Sequence, residues 1–578
     1  MKRAQYIPVS PWRSHLICML IALLFGLLVW RVLGLQVLDS DRGYAFLQDQ
    51  GEARYVRSAE IPAYRGIISD RRGEPLAVST PVISIWANPG DLAKSERVPE
   101  LAAALGLKTP ELRERLKTYR NKEFMYLKRH MTPPAARRIL QLKVPGVGGR
   151  REYQRYYPAG EVAAHLVGFT NVDDRGIEGI ELAYDDWLQG LPGRKEVIKD
   201  LYGEVVRDIG ELQAARPGRD LSLSIDLRLQ YLAHRELQRA VKVSNANAGT
   251  VVTLDSRTGE VLALVNYPTY NPNGRRGLTP GQTRNRALTD VFEPGSTMKP
   301  LTLVAALESG LFTPETMIDT SPGRIKVGSK VLLDPVNYGE ISVARVVEKS
   351  SQVGIVKMAL ALDEQAVWNT FNRFGLGASP GTGFPGESAG VLPYRENWRL
   401  LERVTLAYGY GLAVTPLQLA RAYGVIASGG QLLHPSLLKQ ESAAAEPTQV
   451  IKRSIADQVL KVLHGVTGEK GTARGARVEG YTVAGKTGTA HKVDRGGYAD
   501  DRYLAFFAGI APASNPRLVT IVLIDEPKGD RYYGGEVAAP VFSRITSGAL
   551  RLLNVVPDDT AASADRLAQG GRPAGGPV

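Results

Sequence analysis

The segment EPGSTMKP at 293–300 sets Ser296 and Lys299 three residues apart, a spacing that places both on one face of a helix. A lysine kept neutral by burial can accept the hydroxyl proton of such a serine and make it a nucleophile for acyl transfer. Glu293, Pro294 and Gly295 read as the approach to a helix start. Pro300 forfeits one helical hydrogen bond near the end of the first turn, which the helix tolerates. Ser-x-x-Lys on its own is weak, since Ser436 and Lys439 satisfy it too. What sets the first pair apart is its company: Ser350-Ser351-Gln352 and then Lys486-Thr487-Gly488-Thr489 follow it in order. Only the lysine motif lies downstream of the second pair.

A competing signal overlaps the last motif. Gly480-YTVA-Gly485-Lys486-Thr487 satisfies the phosphate-cradling pattern G-x-x-x-x-G-K-[ST], and LVTIVLIDE ends in Asp525 and Glu526 as a magnesium-binding strand would. A phosphate loop needs a hydrophobic strand before it and a helix directly after. Here TARGARVEG precedes and GTAHKVDRGGYAD follows, with a Gly-Gly pair before any helix. The nucleotide reading is therefore rejected.

The elements that must position these residues come in sequence after one apolar run. Residues 14–30 carry no Asp, Glu, Lys or Arg, and the apolar character continues past Arg31 to Leu38. A bilayer core needs about 20 apolar residues, so 14–38 spans it with Arg31 snorkelling at the far interface. Lys2, Arg3 and Arg13 precede the run, and Asp39 and Asp41 follow. The positive-inside rule leaves residues 1–13 as a cytoplasmic tail and exports the rest. No A-x-A-like site occurs in 31–45, which favours an uncleaved anchor over a signal peptide. Cys18, the only cysteine, sits in that run as a small packed hydrophobe, so intrachain disulfides and cysteine-rich zinc sites are excluded.

An Arg-rich region runs from 39 to about 219. It includes strand-turn-strand character at 65–79, turned on Asp70 and Gly73, and a helical stretch at 99–120. The PGRD at 217–220 marks a boundary, followed by a short strand running into an amphipathic helix. From 220 to 555 strands and helices mix as in an α+β domain, with a hairpin at 250–268 and two apolar strands joined by a turn at 513–516. Residues 556–578 are rich in Gly, Ala and Pro and read as a flexible tail.

A chain of 578 residues with 44% hydrophobic and 23% charged residues is globular and multidomain. Its net charge of +13 suits nucleic acid or an anionic surface, and export removes nucleic acid. Residues 101–150 hold twelve Lys/Arg against three Asp/Glu. A solvated helical face is the simpler account of that excess. Docking of Arg113, Arg115 and Lys117 on anionic headgroups or an acidic partner is the sharper one.

The ordered set Ser296/Lys299, Ser350/Gln352 and Lys486/Thr489 resembles the penicillin-binding protein and serine β-lactamase superfamily. Arg65-Gly66, Asp70-Arg71, RYYPAG at 155–160 and GIEGIELAYDDWLQG at 176–190 resemble the non-catalytic pedestal of class B penicillin-binding proteins. Tyr408-Gly409-Tyr410-Gly411 and Tyr532-Tyr533-Gly534-Gly535 resemble the division-specific FtsI type. The resemblance implies a membrane anchor, an elongated pedestal (the dimerisation-type domain) and a penicilloyl-serine transferase domain of the β-lactamase-like α+β fold. It implies a peptidoglycan D,D-transpeptidase of the inner membrane, catalytic side periplasmic, that cross-links stem peptides at the division septum and is acylated by β-lactams.

By the same resemblance Ser296 is the nucleophile, Lys299 the proton acceptor, Ser350 a proton relay and Lys486 a source of positive charge. Thr487, Gly488 and Thr489 hold the substrate carboxylate, and the backbone N–H groups of Ser296 and Thr489 form the oxyanion hole. Gln352, Glu293, Tyr408, Tyr410, His491, Tyr532 and Tyr533 line the substrate. No metal or cofactor is implied. Partners are stem peptides ending in D-Ala-D-Ala, β-lactams, a SEDS-type glycosyltransferase and divisome proteins. Two positions depart from the family pattern. Gln352 stands where Asn is usual, and His491 stands where division enzymes often carry Arg, which makes carboxylate binding weaker or pH-dependent. A specialised paralog with an altered drug profile is one consequence. A non-cross-linking divisome scaffold or β-lactam sensor is the alternative reading.

Overall fold

The computed structural model describes residues 11–36, 56–199, 205–440, 447–494 and 497–559. The apolar run forms one helix, Pro11–Gln36, whose segment Pro11–Gly34 has mean hydropathy 2.6 and is not buried by any other part of the protein. At about 1.5 Å per residue this helix exceeds the roughly 30 Å of a bilayer core. Residues 37 and 38 of the expected span lie outside the described residues. Cys18 lies on this apolar helix and is not covered by any other described part of the chain.

The remainder packs as two units. Of the remaining described residues, the first holds 56–64, 81–153, 190–199 and 205–217. The helical stretch expected at 99–120 is present as two helices. Gly106, left-handed at φ 71°, ends a helix at Val98–Leu105, and Pro110 opens another at Thr109–Thr118. Both helices bury one stripe (Leu101, Leu105, Leu112, Leu116) in a small core with Ile85, Leu92 and Ile139. Arg113 and Lys117 are exposed, in keeping with a solvated face. Arg115 differs, donating to the carbonyls of Tyr126 (2.8 Å) and Leu127 (3.4 Å), so it holds the fold together. The antiparallel strands 56–61, 193–199 and 205–213 form a separate three-stranded sheet.

The second unit comprises 65–80, 154–189 and 218 onward. Its pedestal-like segments are fastened by a buried charge cluster. Glu181, fully buried, takes Arg65 Nε and Arg155 Nε at 2.6 Å each, and Arg65 also reaches Asp185 at 2.6 Å. The catalytic-type sheet runs in the spatial order 261–267, 248–255, 518–525, 497–511, 484–494, each neighbour antiparallel. The expected hairpin at 250–268 and the two apolar strands joined at 513–516 are both present. A Cβ at Gly249 would strike Leu237 and Val241, and one at Gly509 would strike Phe542. The helices Leu227–Val243 and Ala539–Leu552 therefore cover one face. On the other, Phe506 meets Phe292 (ring centroids 5.3 Å apart), bringing the 293–300 segment against the sheet.

Lys486 lies on the strand Ala484–Asp494 with no helix following, which removes the geometry a phosphate loop needs. Ser436 and Lys439 lie in extended chain, Ser436 Oγ donating to Leu438 O and Lys439 exposed. Past residue 556, Asp558 accepts from the backbone N–H of Thr482 at 2.8 Å, so the expected free tail is fastened at least that far.

Candidate active site

Ser296 sits in a 3-10 turn, Gly295–Met298, that runs into the helix Lys299–Glu308. Lys299 is thus the first residue of that helix, and Pro300 falls in its first turn, where no hydrogen bond is forfeited. The turn is pinned from outside. Gly295 N donates to Gly409 O at 2.9 Å, Tyr423 Oη to Thr297 O at 2.9 Å and Thr302 Oγ1 to Ala407 O at 2.6 Å. Gly409 has φ 90°, and a Cβ there would come 2.0 Å from Gly295 O. The Tyr408-Gly409-Tyr410 segment therefore fixes the backbone of the nucleophile's turn as well as presenting two rings.

Lys299 Nζ donates to Ser350 O (2.5 Å) and to Ser350 Oγ (3.1 Å). Lys486 Nζ donates to the same Oγ at 3.0 Å and to Thr487 O at 3.2 Å. Both lysines are buried. Burial lowers the Lys299 pKa to about 7, with Asp334 working in the opposite direction. Lys486 lies well below its ordinary value, from burial and then from the neighbouring charge of Lys299. Two amines in one dry site cannot both hold protons cheaply, so at neutral pH one is free to accept a proton.

Ser350 adopts a left-handed backbone (φ 59°) at the end of the helix Val343–Lys349, uncommon for a non-glycine residue. The residue that stabilises this loop was not legible in the motif pattern. Asp334, nine-tenths buried, accepts Ser351 Oγ–H at 2.5 Å, the N–H of Val353 at 3.2 Å and the N–H of Gln352. Ser351 in turn caps Gln352–Ala361 by accepting from Gly354 N. A carboxylate 15 residues or more upstream of the serine motif, among many acidic residues, carries no local signal of this role. Gln352 stands beside Tyr408, whose pKa is raised by burial and by Glu293 and lowered by the Gln352 side chain.

The Lys486–Thr489 run occupies the edge strand of the sheet, so one side of its backbone is unpaired and can receive a substrate backbone. A Cβ at Gly488 would lie 1.9 Å from the Phe506 ring, so glycine is required for this strand to lie flat. Thr489 Oγ1 accepts from Gly534 N at 3.0 Å, and Thr487 Oγ1 faces Thr472 Oγ1 at 3.3 Å. His491 Nδ1 is bonded to Ala499 O at 2.8 Å. Its ring begins an aromatic ladder: Tyr503 at 4.7 Å, then Tyr532 and Tyr533 stacked at 4.2 and 4.5 Å. A second series joins Tyr408 to Tyr410 (5.5 Å) and Tyr410 to Tyr498 (5.9 Å). Tyr503 and Tyr498 are members that sequence motifs did not reveal. Glu293 Oε1 accepts from Gly411 N at 2.9 Å.

The penicillin binding protein transpeptidase domain matches residues 249–547, and the penicillin-binding protein dimerisation domain matches 60–223. The chain is 42% identical over 553 residues to the peptidoglycan D,D-transpeptidase FtsI of Escherichia coli K12, covering 95% of this chain and 93% of the relative. It is 41% identical over 567 residues to the probable peptidoglycan D,D-transpeptidase PbpC of Pseudomonas aeruginosa, covering 97% and 100%. Among solved structures, the apo transpeptidase domain of Burkholderia pseudomallei penicillin-binding protein 3 matches at TM-score 0.54 and 42% identity, covering 58% of this chain and 97% of that one. Penicillin-binding protein 3 of Mycobacterium tuberculosis, complexed with aztreonam, matches at 0.67 and 28%, covering 86% and 98%. A serine at a pinned helix start, two buried lysines meeting on one hydroxyl and a matching edge strand agree with these likenesses: the chain belongs to the penicillin-binding protein transpeptidase family.

Proposed function

We propose that this chain is a serine-type peptidoglycan D,D-transpeptidase that cross-links stem peptides at the division septum and is acylated by β-lactams. The observation that carries the reading is the convergence of Lys299 and Lys486 on Ser350 Oγ beside the turn that holds Ser296. Ser296 Oγ attacks the carbonyl carbon of the penultimate D-Ala while Lys299, as the free amine, takes its proton. Ser350 passes a proton to the departing D-Ala nitrogen as the peptide C–N bond breaks. An amine of a neighbouring stem then attacks the ester carbon, a new C–N bond forms, and Ser296 Oγ leaves and recovers its proton. Lys486 meets the substrate carboxylate with the Thr487 and Thr489 hydroxyls, and the arriving negative charge offsets the burial that lowers its pKa and favours its protonated form. The backbone N–H groups of Ser296 and Thr489 face the developing oxyanion, an arrangement worth about 3 kcal/mol per donor in comparable sites.

The same reading places 1–13 in the cytoplasm, 14–38 in the inner membrane and the pedestal (39–219) and transpeptidase domain (220–555) in the periplasm. Its partners there are a SEDS-type glycosyltransferase and divisome proteins. Fluorescent penicillin is the test, with Ser296→Ala as control. Labelling of the wild type alone, together with cross-linking of donor and acceptor strands, supports the synthase. Labelling without cross-linking favours the scaffold or sensor, and absence of labelling overturns the acyl-enzyme.

A further inference from the structure

In the second unit the strands Arg324–Val327 and Lys330–Leu333 form a hairpin that joins no other strand among the described residues. Val327 faces Lys330 across a loop of two residues, so that pair exchanges ladder hydrogen bonds and every second pair beyond it does too. The alternation shows at the open end, where Asp334 N donates to Gly323 O at 2.9 Å. In the intervening pairs, Lys326–Val331 and Arg324–Leu333, the N–H and C=O groups point out of the hairpin. Among the described residues nothing bonds the outward groups of Val331 or Leu333. These four residues also share one face, while Val327 and Leu332 are buried on the other. On the outer face Val331 and Leu333 are 53% and 60% exposed, and Val336, just beyond the strand, is 56% exposed. A strand edge left open and apolar in this way is a template for another strand. Its charge is one-sided: 321–333 hold Arg324, Lys326 and Lys330, all exposed, and no acidic residue.

We propose that the Lys330–Leu333 edge is a docking surface for an extended, acidic segment of a partner protein whose apolar residues recur at every second position. Such a segment adds a third strand to the hairpin. Its backbone pairs with the outward groups of Val331 and Leu333, and its apolar side chains cover theirs on the outer face. Its acidic residues fall on the face that carries Lys330. They also lie about 10 Å, two strand spacings, from the strand of Arg324 and Lys326, near the screening length of physiological salt, so these bases favour an acidic chain. A second copy of this hairpin fits poorly, because it would set the same three bases against each other. The strand runs directly into Asp334, yet none of its own residues belongs to the acyl-transfer machinery.

The experiment uses the full chain in lipid nanodiscs and a fluorescein-labelled seven-residue peptide that alternates valine with glutamate, read by fluorescence anisotropy. This peptide should bind at least tenfold more tightly than its counterpart with lysine in place of glutamate. Val331→Pro deletes one outward N–H and no hydrogen bond of the hairpin, which an edge strand tolerates. Leu333→Glu places a negative charge on the outer face. Each should weaken binding of the acidic peptide at least tenfold, while Tm stays within 3 °C of wild type in at least one of them. Equal affinity for the two peptides, no binding of either, or affinity unchanged in both variants would overturn the docking surface. A dimer of the full chain that Leu333→Glu dissociates would overturn it too, by making a second copy the occupant.

Discussion

Lys299 and Lys486 donate to one oxygen, Ser350 Oγ, at 3.1 and 3.0 Å. Among the described residues neither has a carboxylate in direct contact, and burial depresses both pKa values. The hydroxyl lies between the two amines, and the proposed proton relay runs through it.

This arrangement makes acylation pH-dependent in a defined direction. The proposed reaction needs Lys299 as the free amine, and burial lowers its pKa to about 7. Acylation of Ser296 by penicillin should therefore fall about tenfold per pH unit below 7 and level off above it. Stopped-flow labelling from pH 5.5 to 8.5 measures this. Lys299→Arg, which holds its proton throughout that range, should reduce acylation at least a thousandfold at every pH.

Asp334 should matter without touching substrate. Asp334→Asn leaves Ser351 Oγ–H without its anionic acceptor, at a cost of about 1–3 kcal/mol in stability. It also removes a negative charge that raises the Lys299 pKa. The midpoint of the acylation profile should move to lower pH while the plateau rate drops about tenfold as the Ser350 loop loosens. Loss of stability with an unmoved midpoint would limit Asp334 to a purely structural part.

The buried cluster on Glu181 separates stability from chemistry. Glu181→Gln removes the carboxylate that Arg155 pairs with and leaves Arg65 with Asp185, both arginine side chains being about 1% exposed, and should destabilise the second unit by about 3–5 kcal/mol. Thermal unfolding reads this as a large fall in Tm. Penicillin acylation of the protein that remains folded should stay within twofold of wild type at low temperature.

The two departures from the family pattern predict a drug profile. Gln352 stands beside Tyr408, and His491 is held by Ala499 O against Tyr503. Gln352→Asn together with His491→Arg should change acylation rates several-fold across a panel of β-lactams, most for those with a second carboxylate. Rates unchanged across the panel would remove these residues from drug selection.

Much of the site was legible because its chemistry depends on residue type in fixed order. Ser296, Lys299, Ser350 and Lys486 are read from motifs, and the structure brings the last three into one hydrogen-bonded cluster beside the turn of the first. The hairpin at 250–268 was legible from strand alternation around a turn. The helical stretch at 99–120 was legible from its apolar spacing, and Gly106 and Pro110 divide it into two helices. Asp334, Tyr498 and Tyr503 were invisible because each acquires its part through tertiary contact. Arg115 looked like one more surface charge, and only its bonds to Tyr126 O and Leu127 O distinguish it from Arg113 and Lys117. A charge-reversal test of that basic face therefore belongs at the latter two.

On the proposed mechanism Ser296 carries the acyl group between donor and acceptor strands. Peptide mapping by mass spectrometry after brief incubation with a D-alanyl thioester donor tests it most directly. One residue should be acylated, Ser296, and its adduct should disappear when an amine acceptor is added, with a cross-linked product formed in equal amount. An adduct on any other residue, or a Ser296 adduct that no amine resolves, would contradict it.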